Sequence, residues 1–330
     1  MRDLSIIFQG PLPPEDSKLF QHLRQTRQLF PHAEIILSTW HRTPASDNEL
    51  HIRLEDMAIR LILNDDPGPL TGKDSSGTWS TNLNRLLCSA RGGLEAATRP
   101  LAIKLRTDTW LSSRQLLPLL EQVVHQDSLP PRDQAYLVFR KRVITASWFA
   151  RDARGSLPFL YHPGDILLAG LTDDLRLFFS APLAGPELFH PSAMPGLWCA
   201  WRFVPEQWLW VHAIHRATGH HVFAGNFHHT PQQIIDSERY FLANFVPYSS
   251  RQLGLHWPKY WRRYPFRGLF SLYTHSRWLR RIQGEHTAPM RDMASRVLTG
   301  IWRAGYRVRA HFLRWAPLRA LARNIFSHHQ

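Results

Sequence analysis

Cysteine is nearly absent from this sequence: Cys88 and Cys199 are the only two in 330 residues, and neither lies in a CxxC pair. A disulfide framework and a thiolate zinc site are thereby excluded, and two interior thiols are expected. Long hydrophobic runs are missing too. No stretch approaches the roughly 18 apolar residues of a membrane-spanning helix. No apolar run of signal-peptide length follows Met1-Arg2 before Gln9-Gly10, so a cytoplasmic chain is expected. The nineteen histidines include no HExxH or comparable zinc spacing. There is no internal repeat and no low-complexity segment. Acidic residues are scarce at one end only. Fifteen of the 40 Lys and Arg lie from Lys259 onward, opposed there by Glu285 and Asp292 alone, so +13 of the net +14 belongs to that end. The body is nearly neutral, and no nucleic-acid-binding motif accompanies the basic end, so nucleic acid is not an expected partner.

What is present is the composition of an ordered globular protein, 44% hydrophobic and 12% aromatic, with enough chain for a large core. Apolar runs at 4–8, 34–40, 59–63 and 101–105 predict buried strands, and helical spacing occurs at 17–30 and from Asn82 to Ala97. Further strands are expected at 136–145 and 166–171, and a helix over 206–217 behind Pro205. The Gly-, Ser- and Thr-rich stretch 69–81 predicts a mobile loop. Strands alternating with helices imply an α/β fold with a mostly parallel, Rossmann-type sheet flanked by helices.

Ligands of such sheets bind beyond the carboxyl ends of the strands. Four of the predicted ends are polar: Gln9-Gly10, Ser38-Thr39-Trp40, Asn64-Asp65 and Arg106-Thr107-Asp108. A carboxylate leaving a buried strand suits a hard divalent cation, Mg2+ or Mn2+, which takes one or two carboxylates plus substrate phosphates. Asp108 fits that role, or the ordinary one of capping a turn. Lys104 and Arg106 on one side of the strand suit a diphosphate.

Several blocks carry a family resemblance: IIFQGPL near the start, FPHAEIILSTW at 30–40, NDDPG at 64–68, NLNRLLCSARGGLEAATRPLAIKLRTD at 82–108, LPFLYHPGDILLAGLTDDL at 157–175, PEQWLW at 205–210 and NFVPYSSRQLGLHWPKY at 244–260. Over roughly residues 4 to 260 the sequence resembles the WavE lipopolysaccharide synthesis family, which looks like a GT-A glycosyltransferase. The resemblance implies a domain over 1–260 that transfers a sugar from a nucleotide-sugar donor to a lipopolysaccharide core or related glycolipid acceptor. Where the metal motif of GT-A enzymes usually reads Asp-x-Asp, this sequence reads Arg106-Thr107-Asp108 and lacks the first Asp. The donor's base and ribose would lie near Gln9, Gly10, Thr39, Trp40 and Asp65, with Asn82, Asn84 and Arg85 at the opening of a helix whose N-terminus suits an anion. Asn82 could instead be a cap and Arg85 an ion-pair partner. For the general base that an acceptor hydroxyl requires, Glu206 is preferred and Asp165, in His162-Pro163-Gly164-Asp165, is the competitor. Asp173-Asp174 is expected to be a solvated turn and helix start, and His228 or His229 a lesser candidate for a metal ligand. The alternatives are a non-catalytic sugar-nucleotide-binding scaffold and a nucleic-acid binder.

Residues 261–330 form the expected basic tail. In helical projection Arg296, Arg303, Arg307 and Arg314 fall within about 40° of one another. Val297, Leu298, Ile301, Trp302, Val308, Phe312, Leu313 and Trp315 take the opposite arc. Such a helix suits the interface of an anionic membrane, here the cytoplasmic face of an inner membrane, or else packs on the domain.

Overall fold

The structure, a computed structural model, describes residues 2–13, 16–74, 77–125, 129–155, 159–189, 202–226, 230–258 and 271–284, and scattered positions between 297 and 321. Apolar runs rich in Ile and Leu build its centre. β1 (Leu4–Gln9), β2 (Glu34–Trp40), β3 (Ile59–Asn64) and β6 (Leu101–Arg106) pair in parallel, with Phe8 opposite Leu37 on one side and Leu105 on the other. Between them run α1 (Asp16–Leu29), α2 (Pro44–Glu55), β4 (Leu70–Asp74), β5 (Gly77–Thr81) and α3 (Leu83–Ala96). The stretch expected as a mobile loop is therefore largely an antiparallel hairpin, Leu70 opposite Thr81; its β-branched Thr positions outweigh its glycines. α2 has no apolar stripe to announce it and is set by its start, where the Thr43 hydroxyl accepts from Ser46 N ahead of Pro44. α3 lies close on the sheet because a Cβ at Gly93 would meet Ile7 at 2.5 Å.

After β6 come β7 (Trp110–Leu111), α4 (Leu116–His125), β8 (Val143–Ala146), β9 (Leu167–Leu171), α5 (Thr172–Phe178), α6 (Pro205–Thr218), α7 (Pro231–Asn244), β10 (Phe245–Tyr248), α8 (Ser250–Leu253) and β11 (Leu255–His256). The seven-stranded sheet runs β10-β8-β9-β6-β1-β2-β3, with β9 antiparallel to both neighbours. The strand expected at 136–145 is confined to its last residues. The preceding turn is held off the sheet by Asn244, whose Oδ1 accepts from Val138 N and Phe139 N, and by Asp174, which accepts from Arg140 N and Lys141 N. Asp174 is thus a buried structural carboxylate and not part of a solvated turn.

The packed chain continues past residue 260. Residues 271–274 lie against the 150–153 loop, with Asp152 N donating to Ser271 O and Tyr273 N to Ala150 O. They lead into α9 (His275–Gln283), whose Trp278 is fully buried. Arg277 meets Asp152 at 3.1 Å, and the Tyr273 ring stacks on Phe241 at 4.2 Å.

Candidate active site at the carboxyl edge of the sheet

The chain turns away from β6 at Arg106. Arg106 Nε and Nη2 donate to the two oxygens of Asp108 at 2.8 and 2.9 Å, a bidentate fork across a two-residue turn. The indole N–H of Trp257 donates to Asp108 Oδ2 at 3.1 Å, and the Arg106 guanidinium lies 5.5 Å from the centre of that ring. Asp108 was the carboxylate expected to hold a divalent cation. Its oxygens already accept three hydrogen bonds, and among the described residues no three His, Cys, Asp or Glu gather into a metal-binding group. A hard cation at Asp108 would have to displace a guanidinium, so the residues as placed do not fit the cation. His228 and His229 lie outside the described residues.

Lys104 does not share a ligand-facing surface with Arg106. It is wholly buried under the sheet edge, its Nζ donating to Asp165 O at 2.6 Å and lying 3.8 Å from Asp165 Oδ2. Burial pushes its ammonium down to about 8, against the opposing pull of Asp165. The pairing of Leu105 with Leu167 carries Asp165 alongside the end of β6. Lys104 is therefore a support for the Asp165 turn. Lys104→Met is expected to cost about 3–5 kcal/mol of stability in urea denaturation, because it strands a buried carboxylate; a cost under 1 kcal/mol would show that the ion pair holds nothing.

The Asp165 turn is strained. Gly164 has φ +81°, and a Cβ there would sit 3.3 Å from Trp148 O. Phe149 (φ 67°) and Tyr161 (φ 53°) are left-handed without being glycine. Such backbone concentrates where surrounding structure enforces a functional geometry. Arg151 N donates to His162 O and ties the two strained segments together. His162 and Glu206 approach at 3.5 Å, Nε2 to Oε2. Burial keeps His162 neutral, its pKa well below the ordinary value, with the Arg151 charge adding to the effect. Glu206 is the first acidic residue of α6, behind Pro205. Burial and then the charge of Asp165 push its carboxyl up to about 7. The fully buried Gln207 fixes this helix start, its amide donating to Leu160 O and Asn226 Oδ1 and accepting from Val204 N. The charge of Asp165 raises the Glu206 carboxyl and that of Arg106 lowers it, so the two candidate bases and the guanidinium lie within one electrostatic neighbourhood. Gln207, His162, Arg151 and Trp257 were not singled out from the sequence. The YHPGD, PEQWLW and HWPKY blocks carried the signal for three of them, His162, Gln207 and Trp257.

The other expected residues stand along β1, β2 and α3. Gln9 is buried, its Oε1 accepting from Ser89 Oγ at 2.7 Å. Gly10 has φ +125° and donates its N–H to Ser38 O, and a Cβ would crowd Thr107 at 3.1 Å. Thr39 is buried with its hydroxyl unpartnered, Trp40 is half-buried and Asp65 is exposed. Asn82 precedes α3 without a side-chain cap bond; the Thr81 hydroxyl accepts from Leu83 N instead. Asn84 exchanges two hydrogen bonds with the Ala184 backbone and so fastens that loop. Arg85 forks onto Asp66 at 2.7 and 2.6 Å. Of Asn82, Asn84 and Arg85, Asn82 alone is exposed, and its Oδ1 accepts from Arg85 Nη1 at 3.2 Å.

A family model described as WavE lipopolysaccharide synthesis matches residues 4–304. No curated protein matches. Solved structures with similarity include the glycosyltransferase GlyE of Streptococcus pneumoniae (12% identity, TM-score 0.28, 53% of this chain and 35% of that one). The galactosyltransferase LgtC with donor and acceptor sugar analogues is another (12%, 0.34, 75% and 74%). A third is the mannosyltransferase PcManGT of Pyrobaculum calidifontis with GDP-Man and Mn2+ (12%, 0.37, 98% and 87%). The chain thus spans about a third of GlyE and most of the other two.

Proposed function

Because the chain belongs to the WavE lipopolysaccharide synthesis family, we propose that it is a nucleotide-sugar-dependent glycosyltransferase of the GT-A kind, acting on a lipopolysaccharide core or a related lipid-linked glycan. The observation that carries this reading is the placement of Glu206, a largely covered carboxylate at the start of α6, 3.5 Å from His162 and within the field of Arg106, at the carboxyl edge of a parallel sheet. In the proposed reaction Glu206 takes the proton of the acceptor hydroxyl. The acceptor oxygen bonds to the sugar's anomeric carbon, and the carbon–oxygen bond to the nucleoside diphosphate breaks. The leaving diphosphate takes the electron pair, and Arg106 meets its charge. The donor's base and ribose lie by Gly10, Thr39 and Trp40. A thermal-shift panel of UDP, GDP, CMP and dTDP sugars tests the reading, since a ligand of the native state raises its melting temperature. One nucleotide class should stabilise the protein; no shift with any of them would remove the donor site.

The proposed membrane partner rests on the C-terminal end. Among the described residues no helix is long and apolar enough to cross a membrane. Val297, Ile301, Val308, Phe312 and Trp315 are helical or helix-terminal positions left 53–65% exposed. They fall within about 60° in helical projection, an apolar stripe unpacked against the domain. Arg296, Arg303, Arg307 and Arg314, with Leu298, Trp302 and Leu313, lie outside the described residues. No acidic residue follows Asp292, so an anionic lipid surface complements this stripe. Since α9 is packed, the segment proposed as separable starts after Gly284. The chain ending at Gly284 is expected to stay folded and to lose flotation with anionic vesicles. Flotation equal to that of the full chain would place the anchor elsewhere.

A further inference from the structure

A groove of about 630 Å³ lies beside Asp108, bounded by β7, α8 and β11 and by the 148 turn. That volume falls within the roughly 300–1,000 Å³ of ordinary ligand pockets. We propose that it is the binding site for the carbohydrate chain of the acceptor, an inference that rests on the transferase reading above. Trp110, Trp148 and Trp257 line it, with Ser113, Gln115 and Arg251 among them. A sugar ring presents an apolar C–H face and a hydroxyl edge. Indole rings cover the first, and hydroxyl, amide and guanidinium groups hydrogen-bond the second. A diphosphate would call for a cluster of cations, and among the described residues Arg251 is the one Lys or Arg lining the groove.

The groove is continuous with the site. Trp257 is 4% exposed, lies 6.0 Å ring to ring from Trp148, and is the residue whose indole N–H holds Asp108. A glycan lying on the half-exposed Trp148 would thus sit one aromatic ring from the Arg106–Asp108 pair. Its hydroxyl end would lie toward the turn that carries Asp165, since the carbonyl of Trp148 lies against Gly164. The walls are set in advance. Leu111 pairs with Leu255, Ser112 N donates to Gly254 O, and Trp110 is sandwiched between His22 at 4.1 Å and His256 at 5.2 Å. Binding to such a surface carries little ordering cost. Trp110, with both faces covered, is a wall, which leaves Trp148 as the stacking platform.

The test titrates delipidated core oligosaccharides, prepared from rough-type lipopolysaccharides, into the full-length protein and follows tryptophan fluorescence and heat. UDP, GDP, CMP and dTDP are titrated in parallel. The wild type should bind at least one oligosaccharide. Trp148→Ala should weaken that binding at least tenfold with nucleotide binding unchanged. Gln115→Trp, which fills the groove from an exposed position, should do the same and guards against misfolding of the first variant. An oligosaccharide bound equally by wild type and both variants, or none bound by the wild type, overturns the proposal. A wild type that binds oligosaccharide but none of the nucleotides upholds the groove and overturns the transferase reading.

Discussion

Glu206→Gln should lower turnover about 10²–10⁴-fold, the usual contribution of a positioned general base, while leaving nucleotide affinity within a fewfold of wild type. Gln keeps the shape and cannot accept the proton. The wild-type rate should rise with pH through about 7, because the carboxyl must be ionised to act and burial beside Asp165 holds it protonated below that. The same shift acts on stability with the opposite sense. A carboxyl that binds its proton more tightly in the folded than in the unfolded chain contributes stability below its ordinary value near 4.5, and that contribution is lost as pH rises through about 7. Glu206→Gln has no proton to lose, so above pH 7 it should be more stable than wild type, by about 1–3 kcal/mol. Reduced activity with gained stability is the signature of a strained catalytic group. Should Asp165→Asn abolish turnover and Glu206→Gln leave it intact, the base is Asp165.

Arg106→Ala carries the second large effect. A guanidinium aimed at a departing diphosphate is worth about 10²–10³ in rate when removed, and here the nucleotide's affinity should fall as well, because the diphosphate is charged before and after transfer. Arg106→Lys should restore little, since a single ammonium cannot fork onto Asp108 and the phosphates in turn. Asp108→Asn should resemble Arg106→Ala, and the double variant should lose little more than either single one, because the two residues act as a pair. Measuring both variants in chelator and in Mn2+ separates the roles. If Arg106 carries the charge, wild-type turnover persists in chelator and Arg106→Ala is not rescued by the ion. Turnover that vanishes in chelator and returns with Mn2+ would make Asp108 a metal ligand after all, freed from Arg106 when substrate binds.

Much of the scaffold was legible in the sequence because the signals are local. Runs such as LSIIF and EIILSTW have no polar phase and can be buried on both faces, which is what a central parallel strand requires. Their ends declare themselves by the polar residues that follow, and the strands do end among those residues. α2 and α4 were not recovered. The first is defined by a cap and lacks a stripe, and the second carries Pro118 near its start, which reads as an interruption but is tolerated in a first helical turn. The stretch 136–145 is apolar enough for a strand, but its early backbone bonds are taken by Asn244, more than a hundred residues away.

By itself the sequence determined the fold class and the family, since strand composition, strand ends and the ordered blocks are properties of contiguous residues. It also determined that the excess charge sits at one end. Only the tertiary structure decided what each polar residue does. Lys104 and Arg106 are two apart on one strand and look equivalent, yet one is sealed beneath Asp165 and the other forks onto Asp108. Glu206 and Asp165 are 41 positions apart in the chain and couple because β9 and the start of α6 converge beside β6. The state of a carboxyl depends on what surrounds it in space, and burial and neighbouring charge are set by segments that no local pattern connects.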